Sequence, residues 1–253
     1  MTSQYSISRL IRKIYGLIAI FGLWTLLDFA VDSLVIPNPI MTLKYFFAHF
    51  TNEIGIHLVY SFYRIVMAIS ISLLMGVLLG TVMGMTRWGD RILSPIVYLG
   101  YPIPKISFLP VFMILFGLGD ASKIGLIVSI IVFQIMIGVR DGIKEIPDEV
   151  YLSAKSLKLS YQSQFVHVVF PSILPKLISA LRIGMGIAIS ALFFAENYAT
   201  QYGIGYYIMN NWIMVDYTAM FSGIIGISLM GYVIFTGIDF LEKRLCPWLN
   251  ADQ

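Results

Sequence analysis

Residues 64–87 read RIVMAISISLLMGVLLGTVMGMTR, a run of 22 uncharged residues between Arg64 and Arg87. A helix needs about 20 mostly apolar residues to cross the hydrocarbon core of a bilayer. The run is apolar on all sides rather than on one helical face, which favours contact with lipid and with other helices. The stretch therefore predicts a membrane-spanning helix at about 63–86.

The composition of the whole chain agrees with a membrane protein. The 253 residues are 58% hydrophobic and 12% charged, and the mean hydropathy is +0.83. A soluble domain carries roughly 25% charged residues, so this chain has too few polar side chains to cover a soluble core. These values exclude an ordinary soluble globule, a disordered tail and a nucleic-acid-binding domain.

Five further spans are predicted by the same search for long apolar stretches. The six predicted helices cover about 14–34, 63–86, 92–117, 122–140, 177–198 and 217–240. We expect no cleavable signal peptide, because the first apolar stretch is too long and no small-residue cleavage site follows it. The sequence thus predicts an all-α membrane protein with one transmembrane domain, residues 1–253.

The distribution of positive charge predicts the orientation. With both termini inside, 13 Lys and Arg residues fall on the cytoplasmic side and 3 on the outer side, and cytoplasmic loops carry the excess of such residues. Both termini are therefore predicted to be cytoplasmic. Residues 141–176 then form a cytoplasmic loop far longer than the roughly 2–8 residues usual between bundle helices. A long ordered connector of this kind is typical of a functional segment.

Motifs for catalysis and for energy conversion are missing from the sequence. It has no GxxxxGK(S/T), HExxH, CxxC or GxSxG string. The three histidines are far apart, and the single cysteine, Cys246, excludes an intramolecular disulfide and a Cys-rich metal site. We expect no catalytic residue, no metal and no cofactor. Several spans and a large basic loop without an energy-converting domain indicate a pore-forming subunit driven by a partner.

The predicted cytoplasmic loop resembles a loop in the permease subunits of ATP-binding-cassette (ABC) importers. That loop has the form Glu-Ala-Ala, three residues, Gly, nine residues, Ile-x-Leu-Pro. Here Leu152-Ser-Ala154, Lys158 and the VVFP string ending at Pro171 occupy the frame. The Ala and the Pro match, whereas Leu152 and Lys158 stand where the family has Glu and Gly. A lysine there would cost about 1 kcal/mol or more if the turn keeps a positive φ, unless the turn is reshaped or the partner is matched to it.

Other stretches resemble the nitrate/sulfonate/taurine group of these permeases. They are PIPKISFLPVFMILFGLGDASK at 102–123, SALRIG at 179–184 and AENYATQYGIGY at 195–206. The resemblance runs in chain order over about 37–244, nearly the whole sequence. It implies the type I ABC importer permease architecture.

The resemblance also implies partners, location and function. The chain would form a homodimer with a second permease copy in a prokaryotic inner membrane, bind two cytoplasmic ATP-binding subunits, and receive solute from an extracytoplasmic binding protein. The solute would be small, with an anion favoured, and ATP hydrolysis would belong to the partner. A short coupling helix near 147–158 would contact that partner. The implied coupling residues are Glu149, Leu152, Ser153, Ala154, Leu157, Lys158 and Pro171.

Lys105 lies deep in the predicted third span, among Pro102, Pro104 and Pro110. A membrane lysine usually faces a cavity or a partner, so two interpretations stay open. Lys105 faces a solute cavity and attracts an anion, or it is structural and satisfied by carbonyl groups that the prolines free, or by an acid such as Glu196. The candidate solute path is Lys105, Glu196, Asn197 and Tyr206, with packing and interface anchoring as the alternative for the last three.

Two further expectations concern packing and function. Gly76, Gly80 and Gly84 recur every four residues, which predicts the close approach of a second helix. The alternative function is a secondary transporter or a channel that works without ATP-binding subunits. A membrane-embedded enzyme subunit is disfavoured, because the sequence shows no convergent cluster of His, Cys or acidic residues.

Overall fold

The computed structural model describes residues 2–31 and 33–250, and side chains at 15, 16, 18–31 and 33–249. Residue 32 of the predicted first span and residues 1 and 251–253 of the predicted domain lie outside the described residues. The regular elements of the described ranges are helical. The α-helices are α1 Thr2–Val31, α2 Pro39–His49, α3 Gly55–Met85, α4 Arg87–Gly100, α5 Leu109–Phe116, α6 Asp120–Lys144, α7 Asp148–Ser156, α8 Tyr161–Gln164, α9 Phe170–Glu196, α10 Ile204–Ile213 and α11 Tyr217–Leu245.

Four helices in the described ranges are long and apolar enough to cross a membrane. They are Pro39–Met85, Asp120–Lys144, Tyr161–Glu196 and Tyr217–Leu245. A bent pair, α4 with the segment Lys105–Phe116, makes a fifth if it counts as one span, and α1 contains a shorter apolar stretch, Ile18–Val31. The all-helical membrane architecture is thus confirmed. The count of six spans and the cytoplasmic termini stay predictions.

The predicted third span is not one straight helix. α4 and the segment Lys105–Phe116, which is a 3₁₀ turn followed by α5, meet at an angle of 91°. The break covers residues 101–104, where Pro102 and Pro104 have no N–H for a helical hydrogen bond. The bend exposes backbone carbonyl groups, and these bind Lys105 as described below.

Two predicted spans belong to longer helices than the sequence indicated. A π-helical turn, Phe50–Ile54, joins α2 to α3 in one 47-residue helix, Pro39–Met85, which begins well before the predicted second span at about 63–86. A second π turn, Phe165–Val169, joins α8 to α9 in one helix, Tyr161–Glu196. Proline usually ends or kinks a helix, but this helix contains both Pro171 and Pro175. The Phe170 N–H bonds the carbonyl of Phe165, five residues back. This wider turn comes where the ring of Pro171 would otherwise meet the preceding turn.

α6 lies at the centre of the fold, between α3 and α9, and glycines set its contacts with both helices. A Cβ at Gly76 or Gly80 would come within 2.6 Å of Ile135 or 2.8 Å of Val139 on α6. A Cβ at Gly138 on α6 would lie 2.6 Å from Ala180 on α9. The prediction of close packing at the glycine ladder is therefore confirmed, and the backbones of α3, α6 and α9 approach each other closely.

Candidate coupling loop, solute path and buried ionic network

The loop between α6 and α9 contains a short helix, α7. Pro147 precedes it with an extended ψ of 144°, and Asp148 and Glu149 lie in its first turn, where acids interact favourably with the helix dipole. Lys155 lies in its last turn. The short helix predicted near 147–158 is present.

α7 ends in a Schellman motif in which Lys158 takes the position usual for glycine. The N–H of Leu159 bonds the carbonyl of Ala154 at 3.2 Å, and the N–H of Lys158 bonds that of Lys155 at 2.9 Å. Lys158 has φ 51°, in the left-handed region. The turn is therefore not reshaped to suit lysine. The backbone keeps the conformation that the family's glycine favours, and Lys158 adopts it at a cost of about 1–2 kcal/mol.

The predicted coupling residues do not all share one surface. Glu149, Leu152 and Ser153 lie on one exposed face of α7, and Leu152 is 62% exposed. Leu157, just beyond α7, is also exposed. Ala154 faces the opposite way and is buried within this chain, and Pro171 lies in the first turn of α9, beyond the π turn.

Lys105 binds the carbonyl groups that the broken span leaves free. Its Nζ donates to the carbonyl oxygens of Gly100, Tyr101 and Ile103, the last two at 3.1 Å. The ammonium also lies 4.8 Å from the centre of the Phe133 ring. These contacts are the ones expected if Lys105 is structural and is satisfied by carbonyl groups that the prolines free. Glu196 is not the acid beside it, because Glu196 pairs with Arg64.

A cavity of about 300 Å³ opens beside the break. Polar atoms reach it from Lys105 and from Gln134, whose Nε2 donates to the Tyr101 hydroxyl at 2.7 Å. The rest of the wall is apolar, and this combination of apolar walls with a few polar groups is typical of small-molecule sites. The lining residues are Tyr101, Ile103, Pro104, Lys105, Ile106, Ile130, Phe133, Gln134 and Ile187. The structure therefore places Lys105 apart from Glu196, Asn197 and Tyr206.

Glu196 belongs to a polar group, which we call the Arg64 network: Ser61, Arg64, Asp120 and Glu196. Three members are buried, and the Asp120 side chain is 37% exposed. Arg64 Nη1 lies 2.5 Å from Glu196 Oε1, and Arg64 Nη2 lies 2.6 Å from Asp120 Oδ1. The Ser61 hydroxyl donates to Glu196 Oε1 at 2.7 Å. Arg64 is 3% exposed and Glu196 is fully buried. Lys123 is also buried nearby and donates to the carbonyl of Ala199 at 3.4 Å.

The remaining candidate path residues lie near this network. Tyr206 on α10 lies against His57, with ring centroids 5.9 Å apart. Asn197 follows α9, and its buried Oδ1 has no hydrogen-bond partner among the described residues. The three Lys and Arg residues that the charge distribution places on the outer side are Lys44, Arg64 and Lys123. The burial of Arg64 and Lys123 is not predicted by that distribution. A signal was present, because Arg64 interrupts an apolar helix that runs for several further residues before it, but its partner could not be identified from the sequence.

The profile of one protein family, described as binding-protein-dependent transport system inner membrane component, matches residues 72–248. The chain therefore belongs to this family of transport permeases, and it is a membrane-embedded transport subunit rather than an enzyme. The match covers α6, the loop between α6 and α9, and α9.

Individual relatives carry more specific names. The chain is 32% identical over 197 residues to the taurine transport system permease protein TauC of Escherichia coli (strain K12), covering 78% of this chain and 72% of that protein. It is 27% identical to the nitrate import permease protein NrtB of Synechococcus elongatus, covering 73% and 69%. The methionine ABC transporter MetNI, in inward-facing conformations, has a similar fold, with a TM-score of 0.59 at 20% identity over 76% of this chain and 94% of that chain.

Proposed function

We propose that this chain is the permease subunit of an ATP-driven importer, and that it receives a small anionic solute from an extracytoplasmic binding protein. The family match supports the importer, and the names of relatives that transport taurine, aliphatic sulfonates and nitrate favour an anion. The observation that carries the proposal is the helix α7, because it lies where the family's motif is expected, exposes an apolar side chain, and is followed by a left-handed turn at Lys158.

The proposed contact with the ATP-binding subunit is the exposed face of α7 together with Leu157. An exposed leucine on a short polar loop costs free energy in water, and this cost is removed if a partner covers it. We propose two copies of the permease and two ATP-binding subunits, with both termini and α7 on the cytoplasmic side of a prokaryotic inner membrane. Rigid-body motion of the permease helices would then follow closure of the ATP-binding subunits.

Copurification tests this assignment. A tagged chain should retain an ATP-binding subunit in mild detergent, and Leu152→Asp should greatly reduce the amount retained because it places a charge at the contact. Lys155→Ala is the matched control on the same helix and should retain the partner. Ala154→Asp is unsuitable, since Ala154 is buried in this chain and its replacement would disturb the loop itself. Equal retention by Leu152→Asp and the wild type would contradict the proposed contact.

We also propose that the cavity beside Lys105 borders the solute path. The Lys105 ammonium would favour an anion there through its charge, while its hydrogen bonds hold the broken span. Two substitutions separate these roles. Lys105→Met should lower both uptake and the stability of the complex, because three carbonyl oxygens lose their donor. Gln134→Leu should lower uptake of nitrate or taurine with little effect on stability, and normal uptake by this variant would contradict the placement of the path.

A further inference from the structure

The Arg64 network lies at the opposite end of α6 and α9 from the coupling loop. α6 begins at Asp120, a member of the network, and ends at Lys144, just before the loop. α9 begins after the loop and ends at Glu196, also a member. The 25 residues of α6 correspond to about 37 Å at 1.5 Å per residue. The two helices that flank the coupling loop are therefore connected at their far ends through Arg64 of α3, which pairs with Asp120 and with Glu196.

The same network holds the start of α10. The N–H of Gly205 donates to Glu196 Oε2 at 2.8 Å, and the N–H of Ile204 donates to the Ser61 hydroxyl at 2.8 Å. The N–H of Gly203 lies 3.1 Å from Nδ1 of His57 on α3. The first backbone donors of α10, which have no partner within their own helix, are thus bound by side chains from α3 and α9.

The junction is closely packed at Gly203. A Cβ at that position would lie 2.5 Å from Glu196 Cδ and 2.7 Å from Arg64 Nη1. The backbone at Gly203 therefore approaches the ion pair so closely that no Cβ would fit there without a shift of these side chains. Movement of α10 relative to α9 would break several short contacts at once.

Stability is a weak explanation for such a group of charges. Buried ion pairs lose most of their Coulomb energy to desolvation, and well-packed apolar residues often stabilise a protein equally well. A guanidinium that binds two carboxylates does fix the orientation of the two carboxylates relative to each other, since its donors lie in one plane. Arg64 connects α3 to both α6 and α9 in this way. The arrangement therefore suits a role in orientation.

We propose that the Arg64 network makes α10 move together with α6 and α9, so that a displacement of the coupling loop is transmitted to α10. Glu196 and Arg64 are then positioning residues for transport, and neither touches solute. The proposal rests on the proposed contact of α7 with an ATP-binding subunit. It assigns Glu196 a different role from the solute contact considered from the sequence.

Two cysteine reporters on the complete complex test this proposal in a Cys246→Ser background. Gln162→Cys, exposed in α8 within the coupling loop, reports the input, and Ile213→Cys, exposed at the end of α10, reports the output. The rate of maleimide labelling is measured without nucleotide and after trapping with ATP and vanadate. With the network intact, both rates should change on trapping.

Glu196→Gln should abolish the change at Ile213→Cys while the change at Gln162→Cys persists. Arg64 keeps Asp120 as its partner in this variant, so no buried charge is left unpaired. The matched control is Asp239→Asn, because Arg182 likewise contacts two carboxylates, Asp239 and Glu242, but at a partly exposed site. This control should leave both reporters responsive.

The outcomes separate the two proposals. If neither reporter responds with the network intact, the proposed coupling fails and this inference fails with it. If both respond in Glu196→Gln as before, the coupling holds and the role of the network is refuted. If Glu196→Gln does not assemble, Ser61→Ala decides, since it removes one contact to Glu196 and one to α10. The proposal is supported if the response to trapping is lost at Ile213→Cys alone. It is contradicted if both reporters keep their responses, or if both lose them equally.

Discussion

Lys158 occupies the glycine position of the sequence motif and has a positive φ in the structure. The family motif has glycine here, and the structure explains why, because the residue after α7 must adopt a positive φ to complete the Schellman motif. Lysine adopts the same φ of 51°, and so retains the turn with some strain. The assignment of this turn to a coupling loop stays a prediction.

Replacement of this lysine should reveal the strain directly. Lys158→Gly should stabilise the end of α7 by about 1 kcal/mol, because glycine has no Cβ to crowd the following carbonyl. Amide hydrogen exchange over residues 148–159 should then slow about fivefold. Lys155→Gly, inside α7, should have the opposite effect, because glycine destabilises a helix interior. Faster exchange in Lys158→Gly would show that the turn is not strained.

At the scale of elements, the apolar pattern predicted the helices and the glycine spacing predicted one of their contacts. The positions of the breaks could not be predicted. Pro102 and Pro104 bend the third span by 91°, whereas Pro171 and Pro175 lie inside a continuous helix. The difference comes from a π turn before Pro171, and no residue type identifies such a turn reliably. The pairing of Arg64 with Glu196, 132 positions apart, likewise depends on how three helices pack.

The contact between α3 and α6 can be tested at Gly80. Gly80→Val should separate the two helices, because even a Cβ would lie 2.8 Å from Val139 and 2.9 Å from the Met136 carbonyl. We expect the folded state to be destabilised by about 1–3 kcal/mol. This destabilisation should appear as a lower temperature of aggregation in detergent. Gly237→Val on α11 is the control, since no heavy atom lies within 4 Å of a Cβ there. Equal effects of the two substitutions would contradict the packing described.

At the scale of the whole molecule, the orientation in the membrane rests on the distribution of positive charge. Maleimide reagents that do not cross membranes should label Lys44→Cys and Met214→Cys from outside, and Lys155→Cys only after permeabilisation. All three positions are exposed. The native Cys246 should contribute little, because it is buried and desolvation raises the pKa of its thiol. The reverse labelling pattern would invert the topology and remove α7 from the cytoplasm.

The proposed contact of α7 with an ATP-binding subunit can be tested by site-specific photo-crosslinking. A photoreactive amino acid at Leu157 should crosslink to an ATP-binding subunit in intact cells. The same amino acid at Leu74, which is equally apolar and 65% exposed within the span of α3, should not. A crosslink from Leu157 alone is the result that this account predicts. Absence of that crosslink, or an equal yield from Leu74, would contradict it.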